Sequence, residues 1–139
     1  MGILLSAAGS LAQTPEQYLG RDVGVEAAFR DAIQMWSYRE FWRLWDVSTS
    51  NSRFRFSQKE FAAQMEKGTT RPVAGGPIED LRISMTTPQT ALVTARIGVQ
   101  VSSGRTQSVI RSFVFYYEEG RWRHELSDFL GLAYYSPYR

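Results

Sequence analysis

The chain has 139 residues, 43% of them hydrophobic and 22% charged, with a net charge of only +2. That is the size of one domain with one core. It has no cysteine and a single histidine, which excludes a disulfide scaffold, a thiolate nucleophile and a zinc site built on Cys or on two His.

Residues 1–13 are apolar and rich in small side chains. They resemble the end of a secretory leader, although a basic segment ahead of it is missing. A native arm, or a short helix packing on the body or on a partner, are the alternatives. No apolar run reaches the ~18–20 residues that span a bilayer.

Thr14-Pro15-Glu16-Gln17 reads as a helix start, with Gly20 as its early stop. Asp22 then caps a segment from Val23 to about Met35. Its apolar positions Val25, Ala28, Phe29, Ala32, Ile33 and Trp36 recur at helical spacing. Ser37-Tyr38-Arg39-Glu40 has the capping-box pattern and predicts a second helix to Asp46. Ser48 to Arg55 reads as polar loop. Ser57-Gln58-Lys59-Glu60 is another capping box, opening a helix to Lys67 that Gly68 ends.

Residues 68–77 hold three glycines and two prolines and read as loop. The period then changes to two. Leu81, Ile83 and Met85 alternate with polar residues, and so do Ala91, Val93, Ala95, Ile97, Val99 and Val101. Val109 to Tyr117 is apolar on both faces. After the turn at Glu118-Glu119-Gly120, Trp122, His124 and Leu126 alternate to Ser127. Helices first and a meander of short-turned strands second predict an α+β fold, with N-terminal helices packed on a curved antiparallel sheet, a cystatin-like cone.

From Asp22 to Phe129 the sequence resembles the nuclear transport factor 2-like superfamily, the fold of ketosteroid isomerases and polyketide cyclases. The resembling features are the amphipathic helix at Val25, the aromatic second helix, Phe56-Ser57-Gln58-Lys59-Glu60-Phe61 before the sheet, and Gly120-Arg121-Trp122 before the last strand. The resemblance implies a single domain over 14–130, with 131–139 as a tail, and a conical cavity between sheet and helices. With no phosphate loop and no calcium-loop pattern in the sequence, no cofactor is expected. Catalytic relatives place an acid or base in that cavity, but none of their motifs matches here residue by residue.

Three residues are the acid–base candidates. His124 points to an apolar strand face. Asp128 follows on the same face, ~13 Å away along an ideal strand. Asp46 closes the aromatic helix. Trp36, Tyr38, Phe41, Trp42, Trp45, Trp122 and His124 are the candidate lining of a hydrophobic pocket. The two-faced strand predicts a sheet-to-sheet homodimer through Arg111, Phe113, Phe115 and Tyr117.

Basic residues are scattered, with no stripe for nucleic acid. Binding of a hydrophobic small molecule or a protein, by an exported dimer, therefore ranks first. An isomerase- or cyclase-type enzyme using His124 with an Asp ranks second. An accessory subunit of an envelope complex ranks third.

Overall fold

The computed structural model describes residues 15–135, with side-chain detail from residue 24 onward. The leader or arm expected over 1–13, the Thr14 cap and the last four residues of the expected tail lie outside that range.

Five helices and five strands are present among the described residues. They are α1 (Pro15–Ser37), α2 (Phe41–Asp46), α3 (Ser50–Arg55), α4 (Gln58–Lys67), β1 (Arg71–Pro72), β2 (Ile78–Thr87), β3 (Thr90–Gln100), β4 (Thr106–Glu118), β5 (Arg121–His124) and α5 (Leu126–Ala133). The sheet is antiparallel and curled, and the fold is α+β. β3 pairs β4 along its full length, β4 continues to β5, and β1 and β2 share the other edge of β3. A bulge between Glu79 and Arg82 bends β2, with Asp80 at φ 52°.

Helix α1 buries the face its spacing predicts: Val25, Phe29, Ala32, Ile33 and Trp36 are all under 7% exposed. It does not stop at Gly20 but runs unbroken to Ser37. The capping box expected at Ser37 is absent, because Ser37 is still helical and its hydroxyl donates to the Ile33 carbonyl. The helix ends in a Schellman motif instead. Arg39 N–H donates to the Trp36 carbonyl and Glu40 N–H to the Met35 carbonyl, with Arg39 left-handed at φ 60°. Glycine is the usual residue there, and an L side chain costs about 1 kcal/mol.

The Ser57 capping box is present as expected. Ser57 accepts from Glu60 N–H, and the Glu60 carboxylate accepts from Ser57 N–H, which holds its pKa below the usual value. Ser50–Arg55, expected as loop, is helical, capped by the Thr49 hydroxyl on Ser52 N–H.

The largest departure is at the C-terminal end. β5 stops at His124, and Leu126–Ala133 is a helix rather than a strand followed by a tail. The expected boundary at 130 falls inside it. Leu126, Phe129, Leu132 and Ala133 are fully buried. Gly68 permits the helix end to dock: a Cβ there would lie 2.9 Å from the Ala133 carbonyl oxygen. Thr69 and Thr70 N–H both donate to that same carbonyl.

β4 settles which of its faces is inside. Ala91, Val93 and Ala95 pair with Phe115, Phe113 and Arg111. Phe113 and Phe115 are therefore core residues, fully buried under α1 and α5, and not the exposed interface expected from the sequence. Their rings meet Phe29 at 5.3 and 6.4 Å, in tilted and edge-to-face contacts. Small Ala91 and Ala95 on the neighbouring strand leave room for these rings.

Candidate functional site

His124 is held at the centre of this packing. It is 1% exposed, with ring contacts to Phe129 at 4.7 Å and Phe115 at 6.0 Å. Its Nε2–H donates to the Leu44 carbonyl at 2.8 Å, and its own carbonyl accepts from Thr49 N–H. A carbonyl only accepts, so Nε2 carries a hydrogen. Burial lowers its pKa to about 4, against the opposing pull of the Leu44 bond and with a smaller contribution from the Arg123 charge. The histidine ties β5 to α2 and is neutral at physiological pH.

Asp128 does not join it. The residue lies in the first turn of α5, not on a strand with His124. Its Oδ2 accepts from Val114 N–H at 2.8 Å, replacing the partner β4 loses where β5 ends. Burial raises its pKa, with the Val114 bond acting against it. It opens on a groove of about 430 Å3 beside Val114, Tyr116, Glu118 and Glu125, on the side of β4 away from the core. Glu125 there accepts from the Thr49 and Ser52 hydroxyls, and Glu118 from Ser50 N–H. Asp46 is exposed, and its carbonyl accepts from buried Arg123. The acid–base constellation expected from the sequence does not assemble, because a helix begins between its two strongest members.

The seven expected pocket residues also separate. Tyr38 and Trp42 are exposed at 62% and 58%. Trp45 is half-buried, donating to the Phe56 carbonyl at 2.7 Å. Trp122 packs on Tyr117 at 5.3 Å and lies against Gly24. Trp36 and Phe41 alone share a cavity, of about 330 Å3.

That cavity lies where the C-terminal end of α1, the start of α2, the end of α4, β1 and the β3–β4 turn meet. Buried Trp36, Phe41, Met65 and Val101 make its floor. Exposed Arg39, Glu66 and Arg71 make its rim, with Thr69, Gln100 and Ser102 between them. Arg39 pairs with Glu66 and lies 5.9 Å from the Phe41 ring centroid. Arg71 forms no ion pair among the described residues.

Sequence reasoning did not single out Arg39, Met65, Glu66, Arg71 or Val101. A signal existed for Arg71: a residue before proline is driven to extended backbone, and Arg71-Pro72 is the short strand β1. None existed for Arg39, whose left-handed position carries no glycine to mark it. Arg111, expected on the outer face, lies on the inner one. Its guanidinium would be 3.1 Å from a Cβ on Gly131, and its charge acts on Asp128.

No protein-family model matches this chain, and no curated protein is significantly similar to it. Among the described residues no group of three or more His, Asp or Glu side chains is placed to hold a metal ion. No helix there is long and apolar enough to cross a membrane.

Proposed function

We propose that this chain is a nuclear transport factor 2-like domain that works by binding rather than by catalysis. The order of helices, curled antiparallel sheet and Gly-Arg-Trp hairpin supports the family. One observation carries the function: α5 fills the cone and seals the only histidine, so a substrate in the cone has no acid–base group to meet. The binding site we assign is the 330 Å3 cavity at the side of the closed cone. Its volume is at the low end of the ~300–1,000 Å3 typical of small-molecule sites, and its apolar floor with a polar rim is their usual make-up.

Small aromatic fragments such as phenol and indole test this. In titrations followed by NMR they are expected to shift the Trp36 indole N–H and the Met65 methyl. Shifts centred on other residues, or no shifts at millimolar fragment, contradict the assignment.

A homodimer belongs to the same proposal, and the face we assign to it is the outer one. Leu92, Ile110 and Tyr116 are 37%, 59% and 38% exposed there. Between them the Thr94 and Ser112 hydroxyls bond each other at 2.9 Å, which satisfies one of the two O–H donors within the sheet. Light scattering at tens of micromolar is expected to give twice the chain mass, and Ile110→Asp to halve it. A wild-type monomer at that concentration removes the dimer.

A further inference from the structure

We infer that the cavity takes a small organic monoanion, a carboxylate carried on an aromatic or branched apolar body. The inference rests on the reading of that cavity as the binding site and adds the chemical class of what it binds.

Charge is the first argument. The rim holds two guanidinium groups and one carboxylate, which leaves one positive charge in excess. Arg39 is matched by Glu66, so the surplus sits on Arg71, which is exposed and without an ion-pair partner among the described residues. A guanidinium presents a planar fork of donors that fits a carboxylate with two parallel bonds. Glu66 repels a second negative charge, so a monoanion fits the rim better than a dianion such as a phosphate monoester.

The floor supplies the second argument. Trp36, Phe41, Met65 and Val101 are each 5% exposed or less, so a ligand reaching them lies on packed apolar surface. A polarizable Met beside two aromatic rings suits a ring or branched chain.

The backbone supplies the third. Arg39 holds the left-handed position of the α1 terminus, where glycine is less strained. Strain of this kind points to a use for the side chain. Arg39 spans from the Phe41 ring to Glu66 at the rim, next to where the anion would sit.

Two probes of one shape separate the charge from the body: 3-phenylpropionate and the neutral 3-phenylpropanol. Both are titrated at pH 7 into labelled protein, following the Trp36 indole N–H and the Val101 amide. The acid is expected to bind about tenfold tighter than the alcohol. Arg71→Gln, at an exposed position, is expected to remove most of that advantage and to leave the alcohol unchanged. Glu66→Gln releases Arg39 and is expected to tighten the acid about threefold. Equal affinities for acid and alcohol, or an acid affinity indifferent to Arg71→Gln, overturn the monoanion while leaving the cavity as a binding site. If neither compound moves Trp36, the cavity reading itself fails.

Discussion

Phe129→Ala is expected to lower the stability of the protein by about 4 kcal/mol, measured by urea denaturation at pH 7. The ring is fully buried and touches Trp36, Phe113 and His124, with centroids 5.9, 5.0 and 4.7 Å away. Its removal leaves a void bordered by three elements, α1, β4 and β5, and none of these can collapse alone. The loss is a large part of the ~5–15 kcal/mol that holds a domain of this size. Phe129→Leu keeps most of the volume and is expected to cost about 1 kcal/mol. Similar small losses for both variants mean that α5 does not plug the cone.

The second large effect is on the pH dependence of stability. His124 has a pKa of about 4 in the folded protein and an ordinary value near 6.5 when unfolded. The unfolded chain therefore binds more protons between these values, and stability rises with pH across the window. It is complete above about pH 6.5 and falls as the pH drops towards 4. The contribution lost on going from pH 7 to pH 4 is about 3 kcal/mol. Carboxylates titrate in the same range, so the wild-type curve alone does not isolate the histidine. His124→Gln does, because a neutral amide N–H takes the place of the Nε2 donor facing Leu44. The variant is expected to lack this component of the slope while keeping the remainder. An unchanged slope means that His124 is charged or solvated in the folded state.

These two residues also show how far the sequence was legible. The spacing of Val25, Phe29, Ile33 and Trp36 marked the buried face of α1, because a helix with one apolar stripe has one way to face a core. Ser57 and Glu60 marked the start of α4 through a local reciprocal bond that needs no tertiary partner. The alternation in β3 was legible because only one of its two faces is continuously apolar, and that face is the buried one.

Where two patterns overlapped, the reading failed. Leu126 is two residues beyond His124, so it continues a strand. It is also three, six and seven residues before Phe129, Leu132 and Ala133, so it begins a helical face. Nothing between His124 and Leu126 marks the change, and Glu125 caps the helix without a side-chain bond. β4 failed differently. Val109, Phe113 and Phe115 alternate with Ile110, Val114 and Tyr116, and periodicity cannot choose between two apolar faces. The choice is made by β3, whose Val93 is buried and sits opposite Phe113. With that register the inner face follows. The cavity was least legible, because its rim comes from the end of α1, the end of α4 and β1, which lie far apart in the chain and meet only in the folded protein.

The proposed binding function rests on α5 being packed over His124, the one histidine of the sequence. The most direct measurement is an NMR titration of the His124 ring in the folded protein. The ring is expected to stay neutral from pH 8 down to about pH 5, with a midpoint near 4. A midpoint near 6.5 would mean that water reaches the imidazole despite its contacts with Phe115 and Phe129, and would contradict the proposal.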